Sequence, residues 1–307
     1  MKAQIILSCF IFFCFGCDSQ LRQENEKEGK LVSVQLSPDD SQFVFSYFIN
    51  DKGSIYTSDV NGNNVKLIAK SEGQETYSHP RFSPDGKKIL FISFSQDAKS
   101  SAIFLIDNIG TNKRQLTAYV SLITEAVFSK DSESIHYCKA AETANYSPIA
   151  PESPHKMDIY SINIKTKSKK QLTNLNAYSI ENLLVQDSTI LFIQNLDGPY
   201  YLKLNNPEKI KTLTPKNIDE VHFIGCGGFS IKNETLYFLT GGTYQLFMMD
   251  INKREARLVL HNNFQMNNLN VFQNSNMIIF TKNISSHNEV VIFNLNNHTY
   301  KEILIVP

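Results

Sequence analysis

Polar residues recur at two fixed distances before a strong apolar residue that appears six times along the chain, at positions 43, 89, 135, 190, 236 and 278. Ten residues before these positions lie Ser33, His79, Glu125, Ile180, Cys226 and Asn268. Eight residues before them lie Gln35, Arg81, Val127, Asn182, Gly228 and Asn270. Because side chains alternate along a strand, the two sets should share one side of six related strands. They are therefore the first candidates for a common binding surface.

Metal binding is the chemistry that the first set suggests, through His79, Glu125 and Cys226. One imidazole, one carboxylate and one thiol do not match a recurrent ligand set, so we expect no metal and no other cofactor. Hydrogen bonding to a ligand or partner at the mouth of a channel fits these positions better. The candidate contacts are Ser33, Gln35, His79, Arg81, Glu125, Asn182 and Asn268. For Arg81 and Glu125, an ion pair that serves only the fold is the alternative.

A second candidate site lies between positions 139 and 156, where a longer segment with prolines at 148, 151 and 154 interrupts the repeat. Proline restricts the backbone, so this segment should be a shaped loop rather than a flexible one. Long loops on rigid scaffolds often carry binding residues, and Tyr146 and His155 are the expected contacts here. An insertion without function is the alternative.

The N-terminal segment predicts export and attachment of a lipid to Cys17. Lys2 precedes an apolar run over residues 5–15, and Gly16 and Cys17 end that run where the chain turns polar. The run is short for a membrane span and is typical of a secretory signal peptide. A cysteine after a small residue at this point resembles a bacterial lipoprotein cleavage site, which implies a periplasmic or surface location. An ordinary cleaved signal peptide and a retained N-terminal anchor are the alternatives.

The composition argues against several other classes of protein. The 307 residues carry 30 basic and 30 acidic side chains, and this balance does not predict a nucleic-acid-binding face. The glycine-rich stretch at 225–228 does not have the phosphate-loop pattern, and no Gly-x-Ser-x-Gly motif is present. Cys138 and Cys226 fall on different repeats, so we expect buried free thiols rather than a disulfide.

Six related segments must position these candidates. The steps between the six apolar positions are 46, 46, 55, 46 and 42 residues. A period near the middle forties with four short strands per unit is typical of a β-propeller blade. In the Ser-Pro-Asp-Gly turn at 83–86, the proline presets φ and the glycine takes a left-handed conformation, so the serine and aspartate are turn-forming residues. The sequence therefore predicts an all-β fold, a six-bladed β-propeller of four-stranded antiparallel blades without strand exchange between the termini.

The clearest copy of the repeat also carries a family resemblance. It reads Phe-Ser-Pro-Asp-Gly-Lys-Lys-Ile at 82–89, Ile-Phe-Leu-Ile-Asp at 103–107 and Lys-Arg-Gln-Leu-Thr at 113–117, and it resembles the repeat of the TolB-type β-propellers. The resemblance implies the propeller fold, but the same repeat occurs in periplasmic scaffolds, peptidase propeller domains and sugar-processing enzymes. TolB carries an α/β domain before its propeller. Here only a short polar stretch follows Cys17, so we expect a propeller without that domain.

These observations lead to one functional hypothesis and two alternatives. We expect a signal peptide at 1–16, a flexible tether at 17–30 and the propeller at 31–307. The protein should be a non-catalytic, lipid-anchored scaffold of the cell envelope that binds a protein, peptide or glycan with one propeller face. It should contact the membrane through the lipid on Cys17 and bind no nucleic acid. A carbohydrate-active lyase or hydrolase working in the channel and a structural subunit of an envelope complex are the alternatives.

Overall fold

Six four-stranded sheets make up the described part of the chain, and each consists of four consecutive antiparallel strands. The computed structural model describes residues 29–146, 152–217, 227–240, 242–283 and 288–307. The strands form because short β-branched and aromatic segments alternate with polar turns. The predicted six-bladed β-propeller is thus confirmed. Within the described ranges, no strand is exchanged between blades.

The predicted signal peptide, Cys17 and most of the tether lie in residues 1–28, outside the described part of the chain. In the ranges that the structure does describe, no helix is long and apolar enough to span a membrane. Cys138 is a buried free thiol, while Cys226 lies outside the described residues.

The first three blades contain twelve strands. Blade 1 has β1 (Lys30–Leu36), β2 (Gln42–Ile49), β3 (Lys52–Asp59) and β4 (Lys66–Ala69). Blade 2 has β5 (Thr76–Phe82), β6 (Lys88–Phe94), β7 (Ser101–Asp107) and β8 (Arg114–Gln115). Blade 3 has β9 (Ile123–Phe128), β10 (Ser134–Ala144), β11 (Ser153–Asn163) and β12 (Lys169–Gln171).

The last three blades repeat the same order. Blade 4 has β13 (Ile180–Gln186), β14 (Thr189–Gln194), β15 (Asp197–Lys203) and β16 (Asn206–Thr212). Blade 5 has β17 (Gly228–Lys232), β18 (Thr235–Thr240), β19 (Gln245–Asp250) and β20 (Glu255–His261). Blade 6 has β21 (Met266–Val271), β22 (Met277–Asn283), β23 (Asn288–Asn294) and β24 (Tyr300–Ile303).

The hydrophobic core is divided among the junctions between blades. Six buried clusters each combine residues from two neighbouring blades, including a cluster shared by blades 6 and 1. An apolar residue seven positions before each repeat anchor is buried in one of these clusters: Leu36, Phe82, Phe128, Leu183, Phe229 and Val271. A single blade could not bury this surface alone, so the blades stabilise one another around the ring.

The ring closes between blades 6 and 1 through side-chain hydrogen bonds as well as apolar packing. Asn268 Nδ2 donates to the carbonyl oxygen of Val32 at 3.2 Å. The Asp40 carboxylate accepts the backbone N–H of Gln273 at 3.0 Å and that of Asn274 at 2.6 Å. Charge-assisted bonds of this kind are among the stronger hydrogen bonds in proteins. They join the two ends of the propeller without exchanging a strand.

The turns between the first two strands of blades 1, 2 and 3 confirm the predicted role of their serines and aspartates. In blade 2, Ser83 Oγ donates to Asp85 Oδ1 at 2.6 Å, and Gly86 has a φ of 69°. The hydrogen bond from Ser83 is the main reason why the pKa of Asp85 lies below its usual value. The same serine-to-aspartate bond occurs in the pairs Ser37–Asp39 and Ser129–Asp131.

Candidate functional site

The first strand of each blade faces a central channel with a volume of about 3120 Å³. All seven residues chosen from the sequence lie along its wall: Ser33, Gln35, His79, Arg81, Glu125, Asn182 and Asn268. One end of the channel is bordered by Thr143, Glu152, Pro154 and Tyr178, and we call it the hairpin mouth. The other end is bordered by Pro38, Asp40, Pro84 and Asp187, and we call it the turn mouth. Tyr178 and Asp187 flank the seven-residue strand β13, so the two mouths are roughly 20 Å apart.

Irregular pairing in the inner strands brings three of the candidates into equivalent positions. His79, Asn182 and Asn268 have φ values of 52°, 53° and 51°, and each lies at a register shift in its strand. A residue in this left-handed conformation interrupts the regular alternation of side chains. The candidates therefore reach the channel through a bulge in blades 2, 4 and 6, rather than through the regular alternation that the sequence suggested.

Counting ten and eight residues back from the repeat anchor gives the wrong channel positions in blades 4 and 5. In blade 2, six residues separate the paired residues Phe82 and Ile89, whereas four separate Val185 and Ile190 in blade 4. The shorter hairpin loop moves the equivalent positions by two residues, so Asn182 and not Ile180 corresponds to His79. In blade 5, the same shortening puts Ser230, rather than Gly228, at the position of Arg81.

Amide side chains on the channel wall hold neighbouring blades together. Gln35 Oε1 accepts the backbone N–H of Phe82 at 2.8 Å, which joins blade 1 to blade 2. Asn182 Nδ2 donates to the carbonyl oxygen of Phe229 at 3.1 Å, which joins blade 4 to blade 5. Because an amide can both donate and accept, it can satisfy either kind of backbone group on an inner-strand edge. Part of the hydrogen-bonding capacity of these candidates is thus used by the ring itself.

Asn268 and Ser33, on the two blades that meet at the closure of the ring, also make hydrogen bonds within their own blades. Besides its bond to blade 1, Asn268 Nδ2 donates to Thr281 Oγ1 at 2.9 Å. Ser33 Oγ lies 2.6 Å from Ser46 Oγ, within blade 1. Whether these groups also contact a ligand stays a prediction.

The charged candidates form an ion pair between blades 2 and 3. Arg81 Nη2 lies 3.1 Å from Glu125 Oε2, and the two side chains are 23% and 13% exposed. His79, in the same region, has a pKa below the usual value for histidine because it is buried, so its imidazole is neutral at pH 7. The pair supports the structural alternative for Arg81 and Glu125 without testing a role in binding.

Glu181 is a channel residue that the sequence analysis missed. It is the second residue of β13, on the wall next to blade 3. Burial raises the pKa of Glu181 and the negative charge of Glu125 raises it further, while the neighbouring Ser179 hydroxyl offsets part of the rise. Counting back from the short hairpin, instead of using a fixed offset, would have placed Glu181 at the position that Ser78 has in blade 2, on the channel wall.

Three buried polar atoms in this region make no hydrogen bond within the described part of the chain: His79 Nδ1, Thr124 Oγ1 and Ser179 Oγ. They belong to blades 2, 3 and 4, and all three residues border the channel. Ser179 is only 4% exposed. Buried polar groups usually have partners, so an unpartnered group beside a cavity is available to water or to a bound group.

The predicted loop of blade 3 is for the most part an extended hairpin. β10 and β11 have 11 residues each, whereas the two middle strands of the other blades have 6–8. His155 therefore lies in strand β11, paired with Glu142, and the prediction that it belongs to a loop is wrong. Cross-strand hydrogen bonding continues the hairpin where the composition alone did not favour strands. Residues 147–151 lie outside the described part of the chain.

Aromatic side chains lie together where the hairpin borders the channel. The ring centroids of Tyr146 and His155 are 4.2 Å apart, and those of His155 and Tyr178 are 6.0 Å apart. Tyr146 is 66% exposed and Tyr178 is 50% exposed. His155 Nε2 is also within 3.1 Å of Ser153 Oγ and of the Ala144 carbonyl oxygen, which fixes the ring. The sequence-predicted pair Tyr146 and His155 is thus one surface, and Tyr178 extends it to the hairpin mouth.

A family model described as the TolB β-propeller domain matches residues 18–143. This match covers blades 1 and 2 and the start of blade 3. The chain is a six-bladed β-propeller that resembles the TolB β-propellers.

Solved structures of several proteins resemble this TolB-like propeller at low sequence identity. A TolB from Acinetobacter baumannii is 17% identical with a TM-score of 0.63, and the match covers 90% of this chain and 63% of that one. An acylaminoacyl peptidase from Pyrococcus horikoshii is 12% identical with a TM-score of 0.60, covering 91% of this chain and 53% of the peptidase. An oligogalacturonate lyase in complex with manganese is 12% identical with a TM-score of 0.58, and the match covers 88% of this chain and 75% of the lyase. At these identities the likeness concerns the fold.

The described residues of the TolB-like propeller contain no group of three or more His, Cys, Asp and Glu side chains that could hold a metal ion. What the channel wall offers instead is a carboxylate pair, a neutral imidazole and buried hydroxyl groups near an aromatic surface. This arrangement can accept hydrogen bonds and attract positive charge.

Proposed function

We propose that this TolB-like propeller is a non-catalytic, lipid-anchored scaffold of the bacterial cell envelope, and that it binds an envelope protein, peptide or glycan at the hairpin mouth. The observation that carries this proposal is the asymmetry of the two channel ends. Only at the hairpin mouth does an extended hairpin, within the described part of the chain, bring exposed aromatic rings to the edge of the central channel. Rigid aromatic side chains are effective contacts because they bury a large area and lose little conformational freedom.

The anchor in this proposal is Cys17, with the propeller on the periplasmic or outer side of a membrane. The basis is the apolar run at 5–15 followed by Gly16 and Cys17. Growth with a palmitate analogue tests it. We expect label on the parent protein and on a Cys14→Ala variant, and no label on Cys17→Ala. Label retained by Cys17→Ala would contradict the lipid site.

Site-specific photocrosslinking in native membranes tests the binding face. A photoreactive residue at Tyr146 lies beside the hairpin mouth. The same residue at Ile109 gives a matched control, because Ile109 is 76% exposed and Asn108 next to it bonds to Gly86 in the turn on the other face. We expect a discrete crosslinked partner from position 146 that is absent from position 109 and depleted when Cys17 is replaced by alanine. Equal crosslinking at both positions would contradict the assignment of the face.

A carbohydrate-active enzyme is the second candidate, and the specific observation behind it is the carboxylate pair Glu125 and Glu181. Burial and the charge of Glu125 raise the pKa of Glu181, and a carboxyl group with a raised pKa beside a second carboxylate is the usual arrangement of acid and base in glycoside cleavage. Turnover of an oligosaccharide that both Glu125→Gln and Glu181→Gln abolish would favour the enzyme. Binding of the same oligosaccharide without any turnover by the parent protein would favour the scaffold.

A further inference from the structure

The channel wall between blades 3 and 4 differs from the other junctions in its charge. Glu125 is paired with Arg81, but Glu181 has no lysine, arginine or histidine nitrogen within 4.0 Å in the described part of the chain. His79 is neutral at pH 7, so it does not supply the missing charge. The wall therefore carries one carboxylate more than its own cations balance. A buried charge without a partner is unfavourable, and a cation from outside the chain would relieve it.

The uncommitted groups around Glu181 are acceptors. Thr124 Oγ1 is buried without a hydrogen-bond partner, and Ser179 Oγ is buried beside Glu181, where its hydroxyl interacts with that carboxylate and its oxygen can still accept. The unpartnered His79 Nδ1 can accept a bond when the other ring nitrogen carries the proton. An ammonium group has three donors and no acceptor, which complements hydroxyl oxygens, an imidazole nitrogen and a carboxylate. An anion would be repelled by Glu125 and Glu181. A guanidinium would favour a planar, bidentate contact with one carboxylate rather than acceptors spread over neighbouring strands.

Access to this position is from the hairpin mouth. Tyr178 borders that mouth and lies three residues before Glu181, so one strand of blade 4 connects the aromatic surface with the carboxylate. The faces of aromatic rings attract cations. Near this mouth, Lys99 is paired with Glu152 at 2.6 Å and Lys156 with Glu142 at 3.1 Å, so neither would repel a cation strongly. Lys30 also lines the channel, but it belongs to blade 1, across the ring from blade 4.

We propose that the channel wall formed by Glu181, Glu125, Thr124 and Ser179 is a subsite for a primary ammonium group, which the partner presents either as a lysine side chain or as a free amino terminus. This inference rests on the proposed scaffold function and narrows its partner to a protein or peptide. The ammonium group enters past Tyr178, takes a position beside Glu181 and donates to the buried hydroxyl oxygens. The Arg81–Glu125 pair keeps Glu125 in place without neutralising Glu181.

Calorimetric titration of the full chain with short peptides tests the subsite. The probes are N-acetylated, C-amidated alanine pentapeptides with lysine, arginine or norleucine at the centre, together with an amidated alanine pentapeptide that has a free amino terminus. We expect at least one ammonium probe to bind about tenfold more tightly than the norleucine probe, as a single charge-assisted contact would predict. The preferred ammonium probe identifies the source of the group. Equal binding of lysine and norleucine peptides without a gain for the free amino terminus would overturn the proposal, and so would a preference for arginine.

Two variants locate the effect within the channel. Glu181→Gln should reduce binding of the preferred ammonium probe about tenfold, whereas Asp187→Asn, which removes a carboxylate at the turn mouth, should leave it within twofold. Ser179→Ala should weaken the same probe without changing the net charge. Equal losses in Glu181→Gln and Asp187→Asn would contradict a local subsite. Unfolding curves confirm that each variant is folded.

The two proposals fail in different ways. Loss of crosslinking at Tyr146 with intact ammonium binding would contradict the scaffold face while leaving the subsite. Intact crosslinking without ammonium selectivity would leave the scaffold and remove the subsite.

Discussion

The two sides of the channel use polar side chains in opposite ways. On the amide side, around blades 6 and 1, Asn268, Asn270 and Gln35 bond to the backbone of the next blade. On the charged side, across blades 2–4, Asn182 also bonds to the next blade, but Arg81 and Glu125 bond to each other and Glu181 has no cationic partner in the described chain. A neutral amide can be buried at small cost once it caps a strand edge, whereas a carboxylate needs a cation. The difference separates polar groups that close the ring from those available to a ligand.

Replacing Asn268 should give the largest loss of stability. Asn268→Ala removes the bonds to Val32 and Thr281 and replaces asparagine, which tolerates the left-handed conformation with φ of 51°, by alanine, which tolerates it less well. Together these changes should lower the free energy of unfolding by about 2–3 kcal/mol. Urea denaturation measures this loss. If the two sides have distinct roles, ammonium binding should be unchanged in this variant.

Two controls divide the Asn268 effect into its parts. Asn268→Gly removes the hydrogen bonds but accepts the left-handed backbone, so it should be less destabilising than Asn268→Ala. Asn267→Ala replaces the neighbouring asparagine, whose side chain makes no hydrogen bond in the described part of the chain, and should change stability by less than about 0.5 kcal/mol. Equal losses at 267 and 268 would remove the distinction between ring-closing amides and other channel amides.

The fold was predictable because the repeat is read from local features. The period, the short apolar strands and the Ser-Pro-Asp-Gly turn each predict a blade, and Ser83, Asp85 and Gly86 make the expected contacts. Steric rules for the turn act within a few residues, so no distant contact is needed to apply them. Ring closure depends on which carbonyl lies beside Asn268, and that is decided by the assembled blades.

The site was predictable only where the spacing was regular. Counting backwards from the anchors correctly led to His79, Arg81 and Glu125 on the channel wall, but the two shorter hairpins displaced the count in blades 4 and 5. That displacement is why Glu181 was missed. The extension of β10 and β11 was hidden because alanine and glutamate are weak strand formers, and cross-strand pairing overrides that preference.

Breaking the ion pair on the charged side should have an intermediate effect on stability. Arg81→Met leaves Glu125 beside Glu181 without its cation, and at pH 7 we expect a loss of about 1–2 kcal/mol for this partly buried pair. Adding Glu125→Gln to the same protein should recover part of the loss, which a double-mutant cycle measures. Lys99→Met provides the exposed control, because Lys99 and Glu152 are 56% and 51% exposed, and its effect should stay below about 0.5 kcal/mol. No recovery in the double variant would show that Arg81 acts through packing rather than charge.

Replacing Glu181 should have the smallest effect and the opposite sign. Burial and Glu125 raise the pKa of Glu181 above its usual value of 4.5, so the folded chain retains a proton that the unfolded chain has released. That contribution to stability is present below about pH 4.5 and is lost as pH rises through the pKa of the folded state. At pH 7 the ionised carboxylate is therefore unfavourable, and Glu181→Gln should stabilise the protein by roughly 1 kcal/mol.

Urea unfolding between pH 4 and pH 8 measures the stability gain in Glu181→Gln, which should shrink towards the acidic end of the series. Asp85→Asn is the matched contrast, because hydrogen bonding from Ser83 lowers the pKa of Asp85 below 3.8. The ionised Asp85 carboxylate stabilises the folded chain above about pH 3.8, so the Asp85→Asn variant should be less stable than the parent at neutral pH. A Glu181→Gln variant that is less stable at pH 7 would mean that Glu181 serves the ring, as the amides do. The gain in stability together with the loss of ammonium binding would instead identify Glu181 as a residue kept for a ligand at a cost to the fold.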